Sequence, residues 1–318
     1  MILRRRRTSH PRASSVRSVR FGIMFANTMA WADADGAIEA AQAAERSGFD
    51  SVWTVEHVVY PDEYGSAYPY SADGRMPGRR STPIPDPLIW LAFVASATER
   101  LRLGTGVLIL PQRNPLVLAK ELATLDALSG GRAEVGIGVG WLREEFEALG
   151  VPWARRGART DEYVKAMRAL WASDGASFDG EFASFHHVSS NPKPVRGMVP
   201  VIVGGHSEAA AKRAGRLGDG FFPGVGGPAE LRRLVELARE AATEAGRDPD
   251  ALEVTAGADG VSGRGGLFGD DPLASVQALA DIGVRRIVVP AHALTRPSTA
   301  EGLAAFGERV IAPAAALG

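Results

Sequence analysis

The chain has 318 residues, of which 45% are hydrophobic and 23% charged, a composition that can bury one large core. Net charge is −1, so no global basic excess points to nucleic acid; with no cysteine, disulfides, thiolate nucleophiles and cysteine-ligated metal or iron–sulfur centres are excluded. No apolar run reaches the roughly 18 residues that a membrane span requires.

Residues 1–19 (MILRRRRTSHPRASSVRSV) read as a disordered basic arm of solvated charge. Without Arg4, Arg5, Arg6, Arg7, Arg12 and Arg17 the net charge would move from −1 to −7, so the body of the protein is mildly acidic. The arm lacks the apolar core of a secretory signal. The expectation is a cytoplasmic protein with neither nucleic-acid nor membrane partners.

From residue 20 onward, apolar runs bounded by glycine alternate with amphipathic stretches. Residues 20–26 (RFGIMFA) read as a strand. Asp33 caps an alanine-rich helix that runs to Ser47, and Gly48 ends it. Residues 50–55 form a second strand. The segment 60–85 is rich in Tyr, Pro, Gly and Ser without periodicity, which predicts a long functional loop. Asp86-Pro87 opens a helix to about Glu99. A third strand spans 101–110. Asn114-Pro115 repeats the cap-plus-proline signal, and Ser129-Gly130-Gly131 stops that helix.

A fourth strand covers 132–139, followed by helices over about 142–149 and 159–171. The stretch 178–194 predicts a hairpin-like excursion. Further strands fall at 199–203, 218–222, 252–256 and 286–290, with helices near 207–216, 228–244, 272–281 and 300–311. Eight strands, each followed by a helix, predict an α/β fold of the (β/α)8 TIM-barrel type; a doubly wound sheet is the alternative. The barrel would be one domain, 20–318, with insertions at about 60–85 and 174–196.

In such a barrel, ligands meet the C-terminal ends of the strands. Four places there carry chemistry. Gly204-Gly205-His206-Ser207 ends an apolar run and opens a helix. Two glycines admit close approach of an anion, and the helix N-terminus favours negative charge. A tight turn with a serine cap and no ligand explains the same residues equally well. Glu56-His57 closes strand two, where a histidine can move a proton. Gly104-Thr105-Gly106-Val107 places glycines inside a strand, which marks either a bulge or packing against a helix. Gly136-Ile137-Gly138-Val139-Gly140-Trp141 lacks the spacing of a dinucleotide fingerprint. It leaves room for a flat ring beside an aromatic wall, or Trp141 simply caps the core. No nucleophile elbow, Walker loop or H-E-x-x-H spacing occurs, so no metal is expected.

These residues, in this order, resemble the luciferase-like monooxygenase superfamily, and within it the branch of oxidoreductases using the 5-deazaflavin coenzyme F(420). The most specific stretch is LPQRNPLVLAKELATLDALSGGRAEVGIGVGWLREEFEALGVPWARRGARTDEYVKAMRALW (110–171), joined by PVIVGGHS and LGDGFF. The resemblance implies a bacterial luciferase-like barrel, often a homodimer, with a flavin or deazaflavin across its mouth. It implies that Gly204, Gly205, His206 and Ser207 bind the cofactor phosphate and that His57 is catalytic beside the ring. Gly106 and Val107 would form a bulge with a non-proline cis peptide behind the ring, and Val139 and Gly140 would lie along it. Glu56, Phe25, Met29 and Trp141 are the expected substrate pocket. Trp141 stands where deazaflavin-dependent sugar-phosphate dehydrogenases carry an acidic glutamate, so the resemblance points to a small, hydrophobic organic substrate. Two rival functions are an FMN-dependent monooxygenase fed by a separate reductase and a flavin-binding barrel without turnover.

Overall fold

The computed structural model describes residues 19–79, 81–224, 227–258 and 266–317. The expected basic arm, apart from Val19, lies outside the described residues.

The elements follow the predicted alternation: β1 (Arg20–Met24), α1 (Ala34–Arg46), β2 (Ser51–Thr54), α2 (Pro87–Ala95), β3 (Arg102–Thr105), β4 (Leu108–Ile109), α3 (Pro115–Leu128) and β5 (Ala133–Gly138). Then come α4 (Arg143–Ala148), α5 (Arg156–Ala172), β6 (Ala176–Asp179), β7 (Ser184–Val188), β8 (Val201–Gly204), α6 (Glu208–Leu217) and β9 (Gly220–Phe222). The chain continues through α7 (Pro228–Glu244), β10 (Glu253–Gly257), α8 (Pro272–Ile282), β11 (Val284–Pro290) and α9 (Thr299–Phe306). Parallel pairing runs β1–β2–β3–β5–β8–β9–β10–β11 and returns from β11 to β1, which closes an eight-stave TIM barrel. The third stave is β3 continued by β4, both against β5. The hairpin β6–β7 is antiparallel and separate from the barrel. Residues 60–85 contain neither helix nor strand among the described residues.

Local signals place most boundaries. The Asp33 carboxylate accepts from Gly36 N–H (2.8 Å) at the start of α1, and Gly48 takes φ +86° just beyond its end. Asp86 and Asn114 each cap two N–H groups ahead of a proline. Helix α2 stops at Ala95, short of the expected Glu99. Arg132 reaches across to take the carbonyls of Ala95 (2.7 Å) and Leu101 (3.0 Å), and that tertiary contact ends the helix early. No helix among the described residues is long and apolar enough to cross a membrane.

The barrel interior is filled by Trp53, Ile202, Phe222 and Val288, with Met24 packed against them. Trp53 lies opposite Gly104 in the ladder, and a Cβ at Gly104 would sit 2.9 Å from its indole. The glycine in β3 therefore makes room for a barrel-filling tryptophan, not for a helix. At the opposite end from the mouth, Arg286 is fully buried and bonds both oxygens of Glu134 (2.8 and 3.1 Å) and Asp50 (3.1 Å). Burial disfavours both charges. The paired opposite charges nevertheless leave the Glu134 carboxyl below its ordinary range and Arg286 above its own.

Candidate functional site

The peptide Gly106–Val107 is cis, and it divides β3 from β4. A Cβ at Gly106 would lie 2.9 Å from Met24 Sδ. Val107 is seated between two neighbouring staves: a Cβ at Gly138 would fall 2.6 Å from its Cγ2, and one at Gly204 only 2.4 Å from its Cγ1. Glycines at the ends of β5 and β8 thus admit the side chain of the bulge. This joins three positions that the sequence placed at the mouth separately.

Glu56, expected in the substrate pocket, also has a bracing role. Its carboxylate accepts from Ile109 N–H (2.6 Å) and from Arg113 Nε (2.9 Å), and Arg113 also reaches Asp86 (3.0 Å). Burial pushes the Glu56 carboxyl up, against the pull of Arg113 and the Ile109 N–H. Glu56 braces the strand that follows the cis peptide. It lines a cleft of about 370 Å³ that His57, Val58, Asp86, Gln112 and Arg113 also line.

His57 lines the same cleft and has a carboxylate partner of its own. Its Nδ1 lies 3.1 Å from Oε2 of Glu145, a residue 1% exposed. The other oxygen of Glu145 accepts from the N–H groups of Val58 (2.7 Å) and Val59 (3.3 Å). Next along α4, Glu144 takes Gly65 N–H (2.7 Å), Ser66 N–H (3.2 Å) and the Ser66 hydroxyl (2.7 Å). Desolvation opposes ionisation of Glu144. The Ser66 hydroxyl and the loop N–H groups outweigh it and bring the carboxyl down to about 2. Two adjacent carboxylates on a short helix therefore hold the residues just ahead of the long loop and its first part.

That loop carries an aromatic collar. Trp141 meets His57, Tyr64 and Tyr68 edge to face, with centroids 5.8, 5.7 and 5.1 Å away. Tyr60 sits edge-on to both His57 (5.7 Å) and Tyr64 (5.5 Å). Tyr68 passes the contact to Tyr70 (5.2 Å), and Tyr70 reaches His206 (5.2 Å). The collar thus spans from the expected catalytic histidine to the expected phosphate turn. Burial raises the Tyr68 phenol to about 12, with the neighbouring Tyr70 adding to the shift.

At that turn Gly205 takes φ +124°, a conformation L side chains rarely adopt. Ser207 caps α6 by accepting from Ala210 N–H (3.2 Å). The N–H groups ahead of Ala210 have no acceptor within the helix. His206 Nδ1 is buried and has no hydrogen-bond partner. An orphaned ring nitrogen, a glycine in the left-handed region and a helix N-terminus together fit the phosphate of a flavin-type cofactor.

Gly140 takes φ +82°, and a Cβ there would fall 2.6 Å from Phe146. Val139 and Gly140 follow β5 directly, at the mouth. Phe25 (φ +62°) and Met29 (φ +53°, 45% exposed) lie on the loop after β1, at the same end of the barrel. Among the described residues, neither makes a ring contact or hydrogen bond with His57 or Trp141.

Three features escaped sequence reasoning. Glu144 and Glu145 stand three and four residues after Trp141 in the sequence, and nothing local ties them to residues 57–66. Four of the chain's five tyrosines fall between 60 and 70, a concentration that could have announced the collar. Asn27 is fully buried and ties the β1 loop to both ends of the next crossover, through Val55 N–H (2.8 Å), Val55 O (2.9 Å) and Pro85 O (2.8 Å).

A closed parallel barrel with a cis peptide in its third stave and a glycine-rich turn opening a helix after its fifth defines an oxidoreductase-type TIM barrel. The chain belongs to the luciferase-like monooxygenase family, whose profile matches residues 15–263. An uncharacterised protein of Mycobacterium tuberculosis is 38% identical over 210 residues, covering 66% of this chain and 72% of that protein. An F420-dependent glucose-6-phosphate dehydrogenase of Amycolatopsis mediterranei is 32% identical, over 69% of this chain and 62% of its own length. An FMNH(2)-dependent dimethylsulfone monooxygenase of Pseudomonas putida is 35% identical, over 57% of this chain and 46% of its own length. Among solved structures, the monooxygenase RslO1 of Streptomyces bottropensis superposes with a TM-score of 0.72 at 28% identity, covering 92% of this chain and 99% of that one. An F420-dependent secondary alcohol dehydrogenase has the same fold, with a TM-score of 0.74 at 21% identity, covering 93% of this chain and 99% of its own. Members of this family are oxidoreductases or monooxygenases, and relatives of this chain use F420 or FMN.

Proposed function

We propose that the protein is an F(420)-dependent oxidoreductase that moves a hydride between the deazaflavin and a small, hydrophobic organic substrate. The His57–Glu145 pair carries this reading. Interconverting a carbonyl and an alcohol by hydride transfer leaves one proton to deliver or remove, and a histidine oriented by a buried carboxylate suits that task. When bound, the deazaflavin supplies the hydride donor or acceptor; the chain binds, orients and shields it. Gly204, Gly205, His206 and Ser207 hold the phosphate, with Gly106, Val107, Val139 and Gly140 along the cofactor. Trp141 and the tyrosines of the collar exclude water and line an apolar pocket, to which Phe25 and Met29 contribute.

An FMN-dependent monooxygenase fed by a separate reductase is the second reading, and the 35% identity to the dimethylsulfone monooxygenase favours it. Titrating the apoprotein with oxidised F(420) and with FMN separates the two. Micromolar binding of the deazaflavin alone, with turnover lost in His57→Ala at unchanged cofactor affinity, supports the proposal. Preference for FMN with oxygen uptake coupled to product overturns it. Tight binding without turnover across a broad substrate panel would leave a non-catalytic flavin-binding barrel.

We also propose a homodimer. Helix α2 is apolar on all sides and leaves Ile89 (73% exposed) and Phe93 (42%) in the open, and the neighbouring helix α3 exposes Val117 (56%). Light scattering of Ile89→Glu against the wild type tests it: a wild-type protein already monomeric at micromolar concentration refutes it.

A further inference from the structure

We propose that Glu145 sets the tautomer of His57, keeping the neutral ring protonated on Nδ1 and leaving Nε2 as its only acceptor. The proposal deepens the reading of His57 as the proton-handling residue and rests on it for its consequence in turnover, though not for the tautomer itself.

The argument is an accounting of donors and acceptors. A carboxylate only accepts. One oxygen of Glu145 is taken by two backbone donors, Val58 N–H and Val59 N–H. The second oxygen faces His57 Nδ1 at 3.1 Å, so that nitrogen must carry the hydrogen. Glu145 is 1% exposed, so its acceptor capacity is met by these protein partners. His57 Nε2 has no hydrogen-bond partner among the described residues, and the ring is held edge-on by Tyr60 and Trp141. A histidine fixed in this way accepts a proton through Nε2 in one direction and returns it in the other. In the opposite tautomer it would present an N–H and could not begin as a base. Glu145 is thus a positioning residue, acting on the chemistry only through His57.

The same accounting makes Glu145→Gln informative. The two backbone donors still require an oxygen where Oε1 stands. The amide NH2 must then face Nδ1, and only an unprotonated Nδ1 can accept from it. The variant keeps the size and the loop contacts of glutamate while moving the ring proton to Nε2.

The experiment is ¹⁵N NMR of the histidine rings in the full chain, at a pH where His57 is neutral, with its signals assigned by their loss in His57→Gln. The wild type is expected to show a protonated Nδ1 and an unprotonated Nε2. Glu145→Gln is expected to invert the pair and to lower turnover by about 10²–10⁴-fold, with cofactor affinity within threefold. A proton on Nε2 in the wild type overturns the proposal outright, even if Glu145→Gln fails to fold. An unchanged tautomer in a folded Glu145→Gln also overturns it. A tautomer that inverts as expected while His57→Ala retains full turnover would instead sink the catalytic reading of His57 and leave the positioning intact.

Discussion

Replacing Trp141 with alanine should release the collar from the barrel wall. The indole makes three edge-to-face contacts, with His57, Tyr64 and Tyr68, at 5.1–5.8 Å. Two of these contacts, with Tyr64 and Tyr68, hold the loop, and at about 0.5–1.5 kcal/mol per aromatic pair they amount to about 1–3 kcal/mol. The loop keeps its polar anchor on Glu144, so the loss should appear as local opening rather than global unfolding. Two amides report on it: Tyr68 N–H, bonded to Gly74 O (2.8 Å), and Met76 N–H, bonded to the Tyr64 hydroxyl (3.2 Å). At about 1.4 kcal/mol per tenfold, their hydrogen exchange should accelerate by about 5–140-fold, while amides of β1 stay at the wild-type rate. Wild-type exchange at Tyr68 and Met76 in Trp141→Ala would refute the claim that the indole holds the loop. Acceleration in β1 as well would show a global effect and refute it equally.

Gly205→Ala should weaken cofactor binding about 5–100-fold, since φ +124° costs a side chain about 1–3 kcal/mol; a fluorescence titration with F(420) and FMN measures it, and unchanged affinity would remove the turn from the site. Arg286→Met leaves Glu134 buried with fewer counter-charges and should cost about 3–5 kcal/mol in urea unfolding. Adding Glu134→Gln should recover part of that loss, and a strictly additive double variant would contradict a coupled pair. Because the Glu144 carboxyl is depressed to about 2, its anchoring of the loop is present above its ordinary range near 4.5 and is lost as pH falls from there through about 2. Loop exchange should therefore rise across that window, and a flat profile from pH 5 to pH 2 would contradict the clamp.

Much of this architecture is legible locally. Asp33, Asp86 and Asn114 cap their helices with N–H groups two or three residues away, and Gly48 leaves α1 in a conformation that glycine adopts freely. Such signals need no distant partner, which is why the eight-fold alternation and the position of the Gly204–Ser207 turn could be read from the chain alone. The family resemblance added the bulge at Gly106 and Val107. Contacts between distant segments were decided only by closure of the barrel. Glu56, which lines a cleft with His57, is also tied to Arg113 because β4 and the turn after it run beside it. His57 and Glu145 are 88 residues apart and meet because two loops share one mouth. Tyr70 reaches His206 only once the loop lies across that mouth. Short-range hydrogen bonding and side-chain periodicity are written into neighbouring residues; the pairing of a buried carboxylate with a histidine depends on where the folded backbone brings them, and no local pattern encodes it.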